Sequence, residues 1–273
     1  MERWIGKVAV VTGASSGIGA AILQRLAGEK IKVVGLARRS DLINKIRADL
    51  PAEQKDLISA YKCDVSFEDD VREAFKWIEE NFGGTDLLIN CAGILRSGNL
   101  VDEDSGATIK EIIETNVLGV AHCTREAFRQ MKLRKVDGHV IMINSLSGHI
   151  VPEVPPQLPM FSSYSASKHA VTAMVESYRQ EFQRLGTRVK VTSISPGAVA
   201  TEIFPPELKK HFAEYPSYRL LEPDDVASAV VYALSSPPHV QVKLLLRFFT
   251  KFIYIFVTDQ RNYAGCCSRL TFS

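Results

Sequence analysis

Net charge is almost absent from this chain. Its 33 lysines and arginines stand against 31 acids, which leaves +2 at pH 7. Such a balance gives no electrostatic footprint for a nucleic acid or a membrane surface, so neither partner is expected. Cysteine is scarce as well. Cys63, Cys91, Cys123, Cys266 and Cys267 are odd in number and lack metal-ligand spacing. They read as free thiols of a reducing compartment, which excludes a disulfide framework and points to the cytoplasm. The opening Met1-Glu2-Arg3-Trp4-Ile5-Gly6-Lys7 lacks the apolar stretch of a secretory signal. The most apolar run, Leu244 to Val257, is interrupted by Arg247 and Lys251. It falls short of the ~20 apolar residues that a spanning helix needs, so no transmembrane segment is expected. Internal repeats and low-complexity linkers are also missing. What is present is a 46% hydrophobic composition over 273 residues, the profile of a globular chain with a proper core.

The chain is organised around Thr12-Gly13-Ala14-Ser15-Ser16-Gly17-Ile18-Gly19. It follows the apolar run Val8-Ala9-Val10-Val11 and leads into a helical pattern carrying Ile22, Leu23 and Leu26. A strand, a glycine-rich turn and a helix in that order form an anion cradle. Glycine lets the backbone turn sharply and approach a ligand, and the helix start presents unpaired N–H groups to a phosphate. A plain tight turn is the bland alternative. A second strand, Ile31 to Ala37, completes a βαβ unit and implies a parallel sheet with a right-handed crossover. After it, the place where an acid would bond the ribose 2′-hydroxyl of NAD holds Arg38 and Arg39. Two cations suit the extra phosphate of NADP. A solvated basic pair is the alternative, although a helix start disfavours cations.

The pattern continues with a helix over 39–49 and a third strand from Ile58 to Lys62. Asp64 at its end could take the adenine amino group or belong to the cap region of the next helix, at 67–81. A fourth strand, Asp86 to Ile89, runs into Asn90-Cys91-Ala92-Gly93, where small residues would let a ligand lie close. The spacing of Ile109, Ile112, Ile113, Val117 and Val120 predicts one long helix over 106–133. Asn116 inside that stripe needs its amide satisfied, by a structural bond or as the holder of a water near a reacting centre. The fifth strand, Gly138 to Ile143, ends at Asn144-Ser145-Leu146-Ser147-Gly148. Pro152, Pro155, Pro156 and Pro159 then predict a stiff surface loop, a pocket wall or a functionless insertion. Tyr164-Ser165-Ala166-Ser167-Lys168 opens a helix to 186. It places the phenol and ammonium on one face about 5–6 Å apart at Cβ. A cation there would lower the phenol pKa and make Tyr164 a usable acid or base, although the pentapeptide alone is common on helix surfaces. A sixth strand, Arg188 to Ile194, leads into Ser195-Pro196-Gly197-Ala198-Val199-Ala200-Thr201, a candidate cover for a nicotinamide. Residues 202–218 read as a substrate lid with a short helical piece, and Glu222-Pro223-Asp224-Asp225 starts another helix. A final strand is expected over 240–244. Phe252 to Val257 has a strand profile of its own.

In this order the motifs resemble the short-chain dehydrogenase/reductase family, of the compact type. The matching residues are Thr12-Gly13-x-x-x-Gly17-Ile18-Gly19, Asp64, Asn90-x-Ala92-Gly93, Asn116, Ser145, Tyr164-x-x-x-Lys168 and Pro196-Gly197. Cys91 departs from the family's second asparagine. The Ser145–Tyr164 separation is longer than usual, and the proline loop accounts for it. Ser147 is the lesser candidate for the serine. The resemblance implies an α/β Rossmann-type doubly wound sheet of about seven parallel strands with helices on both faces. It would occupy residues 1–242, with 243–273 as an atypical tail. It further implies that NADP(H) is held by Gly13, Ser15, Ser16, Gly17, Ile18, Gly19, Arg38, Arg39, Asp64, Val65, Asn90, Ala92, Gly93, Tyr164, Lys168, Pro196, Gly197, Val199 and Thr201. Hydride would pass between nicotinamide and a substrate carbonyl carbon. Tyr164 would transfer the proton, Ser145 would bond the oxygen, Lys168 would hold the ribose, and Asn116 would position a water. The stretches 144–149 and 235–242 look like members acting on farnesol, its aldehyde, ketosteroids and other carbonyls. A hydrophobic alcohol or carbonyl substrate is therefore expected, with a non-catalytic NADP-binding protein as the lesser alternative. A homodimer or tetramer is expected on family grounds, with the altered C-terminus placing the assembly in question.

Overall fold

The computed structural model describes residues 1–152, 160–214, 220–247 and 253–257. Most of the proline-rich loop at 153–159, Pro216, Cys266 and Cys267 lie outside the described residues, as does the rest of the C-terminal segment. The elements run β1 (Val8–Thr12), α1 (Gly17–Gly28), β2 (Lys32–Ala37), α2 (Ser40–Ala48), α3 (Ala52–Lys55), β3 (Ile58–Lys62), α4 (Glu68–Phe82) and β4 (Leu87–Asn90). They continue through α5 (Ser105–Ile113), α6 (Gly119–Leu133), β5 (His139–Ile143), α7 (Ser162–Arg184) and β6 (Lys190–Pro196). Then follow α8 (Pro206–Glu214), α9 (Pro223–Ser235), β7 (Val242–Arg247) and β8 (Ile253–Val257).

The sheet order is β3-β2-β1-β4-β5-β6-β7-β8. Seven strands are parallel, and β8 joins the edge antiparallel to β7. Alternation along each buried strand feeds two separate cores. Ala9, Val11, Leu87, Ile89, Ile141 and Ile143 face α1, α2 and α9, where Ile22, Leu26, Ile43 and Val230 pack. Val8, Val10, Leu88, Val140 and Met142 face α4, α6 and α7, meeting Phe75, Ile78, Cys123 and Val175. Strands buried on both faces read as continuous apolar runs, which is why β1 and β4 were visible in the sequence. The order of strands reverses beside β1, between β2 and β4, and a ligand crevice opens at the carboxyl ends there.

Two expectations change in detail. The single helix over 106–133 is interrupted at Glu114–Leu118 by a π-helical turn that joins α5 to α6. Hydrophobic periodicity cannot see an inserted residue that leaves the apolar stripe nearly in phase, and such turns gather at functional sites. The last parallel strand begins at Val242 and runs to Arg247, so part of the segment set apart as a tail is sheet. Of the strand profile over 252–257, Ile253–Val257 appears as β8, paired through Leu244↔Phe256 and Leu245↔Ile255, and Phe252 lies outside the described residues.

Candidate active site

The glycine turn lies at the mouth of a cleft of about 980 Å³ that runs along the carboxyl ends of the sheet. Gly13 has φ +66°, and a Cβ there would stand 2.8 Å from the Ala92 Cα. Gly17 has φ +53°, and its Cβ would stand 3.1 Å from the Thr201 methyl. A Cβ on Gly19 would collide with the Gly13 carbonyl. Ser16 caps α1 without any side-chain bond to the helix, so the first amides of α1 remain available to a ligand. Thr12 Oγ1 accepts from the backbone N–H groups of Cys91 and Ala92, each at 3.0 Å. That pair of bonds locks the exit of β4 against the glycine turn. A close-packed turn of glycines under unsatisfied amides is a cradle for a pyrophosphate, so these residues fit a dinucleotide.

Beyond β2, Arg38 and Arg39 line the same cleft, both more than half exposed. Arg38 stands 4.0 Å from Asp64, and Arg39 lies 3.5 Å from the Ser16 hydroxyl. Asp64 accepts from the Ser66 N–H at 3.1 Å and from its hydroxyl at 2.7 Å, so it shapes the turn before α4 while also lining the cleft. Val65 lies on the floor beside it.

At the other end, Tyr164, Lys168 and Ser145 converge. Tyr164 and Lys168 lie one turn apart near the start of α7, with the ammonium 5.7 Å from the phenol ring centre. Lys168 is buried and donates to the Ile143 carbonyl at 3.0 Å. Ser145 caps a short turn over Leu146–Gly148, accepts from the Ser147 N–H at 3.1 Å, and lines the cleft beside Tyr164. Ser147 also lines the cleft. That turn is pinned to the sheet by His149, whose Nε2 lies 2.9 Å from Ser195 Oγ. It is pinned to α7 by Thr172, which donates to the Gly148 carbonyl at 2.8 Å.

The electrostatics correct one expectation. Burial pushes the Tyr164 phenol up to about 12, and the Ser145 hydrogen bond opposes this. Burial pushes the Lys168 ammonium down to about 8. The neighbouring cation therefore does not lower the phenol. Withdrawal from water disfavours the charged form of each group, and this dominates both shifts. Tyr164 is thus held as a protonated phenol, suited to donate.

Two sequence-nominated residues do not line the cleft. Asn90 is buried and donates to Thr124 Oγ1 at 2.9 Å, tying β4 to α6. Asn116 sits in the π turn, where its carbonyl oxygen accepts from the Ile94 N–H at 2.9 Å. Its amide donates to the Ile94 carbonyl at 3.0 Å and to Ser167 Oγ at 3.1 Å. It still faces the reacting end, since a Cβ on Gly93 would stand 3.4 Å from Asn116 Oδ1 and 3.9 Å from Lys168 Nζ. Pro196, Gly197, Val199 and Thr201 all line the cleft. Sequence reasoning pointed to the proline loop as a pocket wall and to 202–218 as a lid, but not to the individual apolar side chains Leu95, Leu146, Met160, Ile203, Phe204 and Leu208 that line the cleft. They come from the segments after β4, β5 and β6 and from α8, and their meeting leaves no local pattern. Sequence reasoning also passed over Thr12 as a site residue, although a threonine directly before Gly13 signals a bond to the next strand.

A dinucleotide crevice at a sheet switch point, ending in a Ser–Tyr–Lys cluster whose lysine is buried, defines a nucleotide-dependent oxidoreductase. The short chain dehydrogenase family model matches residues 7–211. The chain belongs to the short-chain dehydrogenase/reductase family. It is 50% identical over 242 residues to the farnesol dehydrogenase of Aedes aegypti, covering 89% of this chain and 95% of that protein. It is 43% identical over 250 residues to dehydrogenase/reductase SDR family member 11 of Bos taurus, covering 89% and 95%. Among solved structures, an alcohol dehydrogenase from Thermococcus sibiricus complexed with 5-hydroxy-NADP superposes with a TM-score of 0.73 at 30% identity, covering 88% of this chain and 95% of that one. A serine dehydrogenase in its closed form with NADP+ gives 0.76 at 25% identity, covering 97% and 100%. Among the described residues, no helix is long and apolar enough to cross a membrane, and no cluster of metal-ligating side chains occurs.

Proposed function

We propose that this chain is an NADP-dependent alcohol dehydrogenase or carbonyl reductase acting on a hydrophobic alcohol or carbonyl, with farnesol and farnesal the first candidates. The observation that carries the reading is the Ser145–Tyr164–Lys168 cluster opening onto an apolar wall in the same cleft as Arg38 and Arg39. The glycine turn and the start of α1 would hold the pyrophosphate, Arg38 and Arg39 the 2′-phosphate, and Lys168 the nicotinamide ribose. When bound, the nicotinamide supplies or accepts the hydride at the carbonyl carbon. In reduction, Tyr164 donates its hydroxyl proton to the carbonyl oxygen, with Ser145 bonding that oxygen. In oxidation, the same residues run in reverse. Lys168, held near 8 by burial, can pass a proton toward Tyr164 at neutral pH. Asn116 orients Ile94 and Ser167 around this pair, and its assigned role is to keep a proton-relaying water beside Lys168.

The NADP preference rests on two guanidinium groups where an NAD enzyme places an acid, and relatives solved with NADP-type cofactors support it. Farnesol is favoured by the 50% identity to a farnesol dehydrogenase. Ketosteroids and other bulky carbonyls suit the same apolar wall and form the alternative. A homodimer or tetramer in the cytoplasm belongs to this reading, on family membership and free thiols. A screen of isoprenoid alcohols, their aldehydes and ketosteroids with NADP+ and NAD+ and their reduced forms tests it. Turnover of farnesol or farnesal with NADP(H) is expected. A ketosteroid preferred over both would install the alternative. Tight NADPH binding with no turnover of any substrate would leave only a non-catalytic nucleotide-binding protein, and a preference for NAD+ would remove the roles of Arg38 and Arg39.

A further inference from the structure

The Arg39 guanidinium has a partner on the opposite lip of the cleft. Its Nη2 stands 3.8 Å from Glu202 Oε2 and 3.5 Å from Ser16 Oγ. Glu202 follows Thr201, whose methyl closes over Gly17, so the segment after β6 reaches across the glycine turn to Arg39. Both Arg39 and Glu202 line the cleft. Arg39 therefore carries a carboxylate at the place where a phosphate would be bound.

We infer that Glu202 is a cofactor-discriminating residue that acts through Arg39, competing with the 2′-phosphate for the guanidinium and setting how fast NADP(H) leaves. This rests on the NADP reading proposed above. A phosphate beside Arg39 carries close to two negative charges and needs the guanidinium donors that the Glu202 carboxylate faces. Glu202 must swing off Arg39 for the phosphate to bind fully. A ribose 2′-hydroxyl carries no charge and makes no such demand, so NAD(H) leaves the Arg39–Glu202 pair undisturbed. The two side chains are 58% and 76% exposed, which makes the pair weak enough to exchange in solution. Arg38 is paired instead with Asp64 on the adenine side, so the two arginines are not equivalent.

The test is equilibrium binding and stopped-flow release of NADP+ and NAD+ on the full chain and on E202Q, R39Q and the R39Q/E202Q double variant. E202Q is expected to bind NADP+ about threefold more tightly, the size of one exposed ion pair, through slower release. NAD+ binding is expected to stay unchanged. In the R39Q background the same Glu202 change should lose most of its effect. An equal gain for both cofactors overturns the inference, because it would mean a general loosening of the lip. An undiminished gain without Arg39 overturns it too, since it would mean repulsion through space. If the unaltered chain and R39Q show no preference between NADP+ and NAD+, the cofactor reading itself fails. A clear preference that E202Q leaves untouched defeats only the role given to Glu202.

Discussion

At Tyr164 and Lys168 burial acts in opposite directions, holding the phenol near 12 and the ammonium near 8. Across the neutral range Tyr164 remains protonated, and Lys168 is the group that titrates. The reduction rate should therefore be level below about 8 and fall as the pH rises through it, as the ammonium is lost. A pH–rate profile for K168M, with kcat and KM separated, should show a low rate without that inflection; an unchanged inflection would assign it to another group. The stability consequence has the same origin. Lys168 has its value lowered from 10.5 to about 8, so the penalty of burying its charge is complete below 8 and is relieved as the pH rises toward 10.5. His139 is a second buried base, pushed down to about 3 by burial, with Nε2 2.8 Å from Thr192 Oγ1. It folds neutral, while the unfolded chain takes up a proton near 6.5. Stability should fall as the pH drops from 6.5 toward 3, and thermal melts of H139Q should show a shallower acid limb. Tyr164, Lys168 and Ser145 could be nominated from the sequence because the ordered motifs resemble a known family, not because of their spacing alone. Their proton affinities were not legible, because desolvation depends on every element packed around them.

At the scale of elements, the π turn between α5 and α6 carries Asn116 to Ile94 and Ser167. Replacing it by alanine leaves the Ile94 N–H and C=O without these partners. A loss of about 1–3 kcal/mol in unfolding free energy is expected, together with slower turnover, read by denaturant melts beside steady-state rates. N116A with unchanged stability would show that the amide does not tie the β4 loop to α7. The glycine turn has an equally local test. Gly19→Ala places a methyl against the Gly13 carbonyl, so NADPH binding should weaken at least tenfold while far-ultraviolet circular dichroism stays near that of the parent. The strand–turn–helix was plain in the sequence because its backbone demands glycine. The break in the long helix was hidden, since one inserted residue barely disturbs an apolar stripe. The side-chain direction of Asn90 was hidden for a related reason: a strand-end position does not reveal which face its side chain takes, and here it bonds Thr124 on α6.

For the whole molecule, sheet order places every candidate group at one edge. Alternating apolar strands and helices announced the doubly wound sheet, and the ordered motifs announced its cleft. The segments of the substrate wall were legible but its side chains were not, because Leu95, Met160 and Leu208 meet only after two loops and α8 fold over the sheet. The end of the sheet was also obscured, since Leu244 to Val257 reads as an apolar tail although β7 continues the parallel ladder to Arg247. Leu245 is buried, and the Val242 carbonyl accepts from Thr192 Oγ1 at 2.6 Å. A chain ending after Val242 loses most of β7 and should melt several degrees lower, whereas one ending after Arg247 should melt closer to the full chain. Equal melting of all three would show that β7 adds nothing to the core.

The most direct measurement replaces Tyr164 with phenylalanine and follows farnesal reduction with NADPH, while NADPH binding is titrated on the same preparation. The account predicts a rate lower by about 10²–10⁴, the share of a positioned proton donor, with cofactor affinity preserved. Undiminished turnover by Y164F would contradict it.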